Sequence, residues 1–228
     1  AAVMQEAQGK LTLEEAEKYL DELKASDLTI ELRDKDGKTH YTSREMYETE
    51  TRLVERVTAM HNEYTHAVSA EALAGAMAAK PTMSEQQKAA LAHMTSPQRV
   101  AIVSGVAGAG KSYLCDAARD AWERAGYTVV GAALAGKAAV GLERSSAIES
   151  MTIARALIDI ERGKITLDPK TVLVIDEAGM VGTRQMLRLQ DHVDKSGAKL
   201  VIVGEVEQLP PIEAGSAMRA QKEALSAG

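Results

Sequence analysis

A glycine-rich turn between an apolar run and a helical pattern constrains this chain most. Val100–Val103 is apolar and leads into residues 105–112, which read Gly-Val-Ala-Gly-Ala-Gly-Lys-Ser. A strand, a glycine-rich turn and a helix in this order surround a phosphate with backbone N–H groups and the positive end of a helix dipole. Lys111 can then reach the β- and γ-phosphates, and the Ser112 hydroxyl can bind Mg²⁺. Glycine is needed where the backbone approaches the ligand closely, and the candidates are Gly105, Gly108 and Gly110. Taken alone, the motif also fits a plain glycine-rich turn.

Composition limits the class of protein around this motif. The chain has 228 residues, of which 45% are hydrophobic, so it can bury the core of one large or two small domains. The single cysteine, Cys115, excludes an internal disulfide, fits a cytoplasmic protein and is expected to be a small core residue. No apolar stretch approaches the roughly 18 residues of a membrane span. The net charge of −6 excludes a global basic field, so any DNA contact must be local.

The start of the chain has no basic region followed by an apolar one, so it does not read as a secretion signal. It also does not begin with Met, which we interpret as the sign of a fragment of a longer protein.

A second motif follows a buried strand. Val172–Ile175 is apolar and delivers Asp176 and Glu177 at its carboxyl end, where ligands bind in open α/β sheets. Asp176 would hold Mg²⁺, and Glu177 would orient and polarise the attacking water. A strand that ends in a solvated acid pair is the alternative, but the pair's position downstream of the glycine-rich turn favours a phosphate-loop nucleotidase fold.

A third apolar strand, Leu200–Val203, ends in Gly204 and is followed by a loop that carries Gln208. On that loop a neutral amide would lie beside the γ-phosphate and sense its presence. An ordinary polar loop residue is the competing interpretation of Gln208.

The alternation of strand and helix patterns over residues 81–228 predicts an α/β domain built on a parallel sheet. Residues 1–80 predict a small N-terminal appendage, in which a helix, a β-hairpin and a second helix follow one another as in a winged helix. The hairpin lysines and arginines could touch a nucleic-acid backbone, but a solvated turn is the favoured interpretation. We place the domain boundary at residues 80/81, where Pro81 ends a short Ala-rich helix.

Five segments stand in the order of superfamily 1 helicase motifs, and together they resemble the RecD branch. They are Ser84–Gln87, the glycine-rich turn, Ala132–Ala139, Ile175–Val181 and Gly204–Pro211. Within that branch the chain is most similar to the helicase part of plasmid conjugative relaxases of the TraA/MobA type. The resemblance implies a RecA-like phosphate-loop NTPase domain that uses ATP and Mg²⁺.

The resemblance also implies roles for particular residues. Gln87 would contact adenine, Lys111 and Ser112 would bind phosphate and Mg²⁺, Asp176 and Glu177 would serve hydrolysis, and Gln208 would couple the γ-phosphate to DNA. Gly136 and Lys137 belong to the segment that resembles the single-strand-contacting motif. Two roles have plain alternatives: Gln87 also completes a capping box with Ser84, and Lys137 also suits a surface lysine at a helix start.

Two features depart from the family pattern. Glu205 stands where an Asp usually follows the glycine, which puts the γ-phosphate coupling in doubt. The sequence also ends before any second motor domain with its arginine fingers, and its five histidines do not form the metal triad of a relaxase nuclease.

The resemblance therefore implies the first motor domain of a bacterial, cytoplasmic helicase that translocates 5′ to 3′ on single-stranded DNA during conjugative transfer. Its partners would be single-stranded DNA and the second motor and relaxase domains of the same parent chain. A degenerate module that binds without hydrolysis is the alternative. A phosphate-loop kinase is a third possibility, although the Gln208-Leu-Pro-Pro segment is foreign to kinases.

Overall fold

The computed structural model describes residues 12–33, 37–105, 110–205 and 217–226. The chain forms two compact units, Ala1–Thr51 and Arg52–Gly228. The sequence places the domain boundary at residues 80/81, whereas the second compact unit begins at Arg52. The reason is burial: Leu53, Val57 and Met60 are 0% exposed and belong to the core that covers one face of the large sheet.

The first unit contains helix α1 (Leu13–Ala25), the antiparallel strands β1 (Thr29–Arg33) and β2 (Thr39–Ser43), and the start of α2 (Arg44–His61). Helix α1 begins after Thr12, because Thr12 and Glu15 satisfy each other's backbone N–H groups in a capping box. The predicted order of helix, hairpin and helix is present, and the tip of the hairpin, residues 34–36, lies outside the described residues. The likeness to a winged helix stays a prediction.

The second unit is built on a five-stranded sheet in the order β3-β7-β6-β4-β5, and every neighbouring pair is parallel. The strands are β3 (Val100–Ser104), β4 (Thr128–Ala133), β5 (Glu149–Thr152), β6 (Thr171–Asp176) and β7 (Lys199–Gly204). The helices after α2 are α3 (Ala70–Ala78), α4 (Glu85–Met94), α5 (Lys111–Arg124), α6 (Gly136–Ser146), α7 (Ile153–Glu161), α8 (Thr183–Ser196) and α9 (Ala217–Ser226). The predicted α/β phosphate-loop fold with a parallel sheet is therefore confirmed.

The core divides into two layers because successive side chains of a strand point to opposite faces of the sheet. Leu173 and Ile175 of β6 pack with the core that contains residues of α2, α7, α8 and α9. Val172 and Val174 of the same strand pack with residues of α4, α5 and α6 on the other face. Cys115 is in this second layer, where burial raises the pKa of its thiol to about 12, so the expected core role is confirmed.

Strand β5 is absent from the sequence prediction. Its residues, Glu-Ser-Met-Thr, form no apolar run, and they are extended because they pair with β4 at the sheet edge. Among the described helices, none combines the length and the apolar character that a membrane crossing requires.

The amino edge of the sheet buries basic side chains. Lys199 is fully buried, and its ammonium donates to the carbonyl oxygens of Ser96 and Gln98, each at 2.6 Å. Burial lowers the pKa of Lys199 to about 7. Arg99 is also buried, and its guanidinium donates to Glu63 Oε2 at 2.7 Å and to the Val193 carbonyl oxygen at 3.0 Å.

His66 makes this edge sensitive to acid. Burial, with the charges of Lys199 and Arg99, lowers the pKa of His66 from 6.5 to about 4. The unfolded chain then binds more protons than the folded one between these two pH values, so the free energy of unfolding falls as pH drops through that window. We expect a loss of about 1–3 kcal/mol from this group.

His66→Phe removes the titration and keeps a ring that can stack on Tyr127, whose centroid lies 5.5 Å from that of His66. Urea unfolding between pH 4 and 8 should show a smaller acid-side loss in this variant, with the two curves parallel above about pH 7. If the free energy of unfolding fell equally steeply with pH in both proteins below pH 6.5, His66 would not be the source of the acid sensitivity.

Candidate nucleotide-binding site

The predicted strand before the glycine-rich turn and the predicted helix after it are both present. Strand β3 ends at Ser104, helix α5 begins at Lys111, and the Gly105 N–H donates to the Gly204 carbonyl oxygen at 3.1 Å. Residues 106–109, which include the predicted phosphate-binding Gly108, lie outside the described residues. The described ends of the loop place the first turn of α5 at the carboxyl edge of the sheet.

Gly110 is required by its backbone conformation, and a larger residue here would also displace the end of the Gln87 side chain. Its φ is +76°, which is a left-handed conformation, and a side chain at this position would collide with Nε2 of Gln87. Gln87 forms the capping box as well, since its N–H donates to Ser84 Oγ at 3.2 Å and its Oε1 accepts from the Ser84 N–H at 3.0 Å. The capping box that was the alternative role of Gln87 is therefore present in the structure. The contact of Gln87 with adenine stays a prediction. The same side chain also lies next to Gly110, at the end of the phosphate loop.

Lys111 is bound by two acceptors. Its ammonium donates to Glu205 Oε1 at 2.7 Å and to the Gly105 carbonyl oxygen at 3.4 Å. The Lys111 side chain is 24% exposed and that of Glu205 is 18% exposed, so the ion pair is largely shielded from water. In the sequence Glu205 is only a departure from the family pattern, whereas in the structure its carboxylate contacts the phosphate-loop lysine.

Asp176 is the last residue of β6, and Glu177 directly follows it at the carboxyl edge. Glu177 has a φ of +53°, which costs a residue with a Cβ about 1 kcal/mol or more. The turn is fixed by Asp176, whose Oδ1 accepts a hydrogen bond from the Glu177 N–H at 2.9 Å. The strained residue is exposed, so its carboxylate is available to a ligand.

Gly204 supports this turn from the neighbouring strand. A Cβ built on Gly204 would lie 2.9 Å from the Ala178 nitrogen, 3.0 Å from the Gly179 nitrogen and 2.9 Å from Met218 Sδ. Glycine is therefore the residue that lets the end of β7 pack against the backbone that follows the acid pair. The sequence identifies this glycine by its place at a strand end, but the contact depends on the order of the strands.

One cleft of about 470 Å³ brings together four of the predicted site residues. Ser112 of α5, Asp176 and Glu177 of the β6 edge, and Lys137 of α6 all line it. Gly136 is the first residue of α6, next to this lining, and Lys137 is exposed. Gln208 lies outside the described residues.

The cleft residues fit a magnesium ion. The Ser112 hydroxyl and the Asp176 carboxylate offer oxygen ligands, which this hard cation prefers. Within the described ranges, no group of three or more His, Cys, Asp or Glu side chains is arranged to hold a metal ion. Mg²⁺ bound here would also take phosphate oxygens and water as ligands, as is usual in nucleotide sites.

Comparison with known proteins identifies a family and several relatives of this chain. A family model described as AAA domain matches residues 82–227. The conjugal transfer protein TraA of Agrobacterium fabrum is 48% identical over 180 residues, which are 79% of this chain and 16% of that protein. The probable conjugal transfer protein TraA of Sinorhizobium fredii is 47% identical over the same lengths. The ATP-dependent RecD2 DNA helicase of Deinococcus radiodurans is 32% identical over 141 residues, 60% of this chain and 19% of that protein. The chain thus spans about a sixth of the conjugal transfer relatives that it matches.

Proposed function

The chain belongs to the AAA-domain family, in its RecD-like helicase branch, and we propose that it is the ATP-binding first motor domain of a conjugative DNA helicase. In the parent protein, ATP hydrolysis would drive 5′ to 3′ translocation on single-stranded DNA. The observation that carries this proposal is the cleft that joins Ser112, Asp176, Glu177 and Lys137 next to the phosphate loop.

The phosphate side of the site would bind nucleotide with the loop N–H groups and Lys111. Ser112 and Asp176 would hold Mg²⁺, which supplies charge neutralisation to the β- and γ-phosphates when bound. Glu177 would orient the attacking water, because its carboxylate is exposed at the cleft and its position is fixed by the turn at Asp176. Gln208 would sense the γ-phosphate from the segment that follows β7.

The DNA side of the site would be the start of α6. Gly136 and Lys137 lie in its first turn, where N–H groups and an ammonium can bind one backbone phosphate. Lys137 lines the same cleft as the acid pair, so a DNA strand bound there would be near the hydrolytic residues. The net charge of the chain is −6, so DNA binding has to depend on such a local contact and not on an overall positive charge.

The wider role is proposed from the relatives. Proteins named for conjugal transfer extend well beyond the matched region, because that region is 16% of their length. We propose that the same parent chain carries a second motor domain and a relaxase domain, and that it works in the bacterial cytoplasm.

A non-hydrolysing module is the second candidate function, and one observation favours it. The ammonium of Lys111 is already bound by the carboxylate of Glu205, the residue that departs from the family pattern. If Glu205 hinders the contact between Lys111 and the γ-phosphate, the site would bind nucleotide without turnover and would serve DNA or protein binding.

Steady-state ATP hydrolysis with and without oligo-dT distinguishes the two candidates. The chain alone should bind MgATP, should turn it over more slowly than about 1 per second, and should not be stimulated by DNA. The reason is that the arginine finger, which contributes about 10³–10⁵ in rate, is proposed to come from the second motor domain. The parent protein should show DNA-stimulated turnover; if it binds ATP but hydrolyses none at saturating DNA, the non-hydrolysing module is correct.

Fast, DNA-stimulated turnover by the chain alone would instead mean that one of its own arginines acts as the arginine finger. Arg184 and Arg188 of α8 are the first to test. Arg188 donates to Glu161 Oε1 at 2.7 Å, so its replacement would also remove this ion pair.

A further inference from the structure

We infer that Glu205 competes with the nucleotide phosphates for Lys111, so that this one carboxylate sets how tightly the site binds its nucleotide. The inference rests on the proposed function and adds an affinity-determining residue to it. Glu205 would oppose binding of any ligand that places a phosphate on the Lys111 ammonium.

The sheet places the two residues together. Strands β3 and β7 are parallel neighbours with Ser104 opposite Gly204, and the Gly105 N–H continues the ladder to the Gly204 carbonyl oxygen at 3.1 Å. Glu205 therefore leaves β7 beside the first residue of the phosphate loop. Lys111 enters from the start of α5, and the two charges meet at 2.7 Å.

A bound nucleotide needs the same ammonium. The phosphate-loop lysine reaches the β- and γ-phosphates, and its three N–H bonds are directed to acceptors within about 3 Å. In this structure Glu205 and the Gly105 carbonyl oxygen accept from it. A phosphate would have to replace the carboxylate, and any Glu205 charge left close to the phosphate would repel it.

The length of the side chain matters to this contact. Glutamate has one methylene more than aspartate, which adds about 1.3 Å of reach beyond the strand end. Aspartate at this position would keep the charge but approach Lys111 less closely. Affinity should therefore increase from the natural Glu205 to Glu205→Asp and again to Glu205→Gln.

The test is calorimetric titration of the chain with MgADP and with magnesium pyrophosphate. Glu205→Gln keeps the shape of the side chain and should raise both affinities about tenfold, the effect of removing one shielded ionic competitor. Glu149→Gln, the same change at an exposed position in the amino-terminal half of the edge strand β5, should leave both affinities unchanged. Adenosine, which carries no phosphate, should bind the wild-type and Glu205→Gln chains equally.

The Lys111→Ala background separates this inference from the proposed function. In the Lys111→Ala chain the Glu205 carboxylate and the phosphate no longer compete for an ammonium. Glu205→Gln should then raise affinity only by removing the repulsion between the carboxylate and the phosphate, so the gain should be less than tenfold. Unchanged or weaker binding in the single variant, with a melting temperature like that of wild type, would overturn the competition and leave the nucleotide site in place. Wild-type affinity in Lys111→Ala would overturn the nucleotide site itself.

Discussion

ATP turnover by the parent protein is expected to fall about 10²–10⁴-fold when Glu177 is replaced by Gln, while MgATP affinity is retained. The amide has the size of the carboxylate but cannot accept the proton of the attacking water. The backbone should not change, because the φ of +53° is fixed by the hydrogen bond from the Glu177 N–H to Asp176 Oδ1, which involves no Glu177 side-chain atom. The measurements are steady-state hydrolysis at saturating oligo-dT and calorimetric titration of the same samples.

Asp176→Asn is the matched comparison for this prediction. It should weaken MgATP binding and leave magnesium-free nucleotide binding nearly unchanged, because the first carboxylate serves the metal and the second serves the water. Equal loss of nucleotide affinity from both variants would contradict these separate roles.

The sequence predicts this fold well where chemistry is local. Apolar runs identify β3, β6 and β7, and polar residues such as Ser84 and Gln87 mark where a helix begins. The resemblance to the RecD-like helicase portion of a conjugative relaxase is confirmed by the AAA-domain match and by the TraA and RecD2 relatives. These features are predictable because motif spacing and hydrophobic periodicity are written in neighbouring residues.

The remaining features depend on residues that are distant along the chain. Lys111 and Glu205 are 94 positions apart, and they meet only because β7 lies beside β3. The requirement for glycine at position 204 likewise arises from the backbone after β6, and β5 is a strand only through its pairing with β4. Sequence patterns carry no information on strand order, so these contacts could not be predicted from them.

Lys111→Ala is expected to weaken nucleotide binding about 100-fold or more, the upper part of the range for hydrogen bonds to a charged group. The substitution removes the ammonium that faces the phosphates and the ion pair between Lys111 and Glu205. Folding should be preserved, because the Lys111 side chain is 24% exposed, lies at the start of α5, and is replaced by the strongest helix former. Lys195→Ala, an exposed lysine in the last turn of α8, is the matched control and should bind nucleotide like wild type.

Titration calorimetry of MgADP into the wild-type and Lys111→Ala chains tests the phosphate-loop assignment most directly. We predict that one nucleotide binds per wild-type chain and that this affinity is lost in Lys111→Ala at an unchanged melting temperature. Wild-type affinity in the Lys111→Ala chain would show that nucleotide binds elsewhere or that the phosphate-loop assignment is wrong.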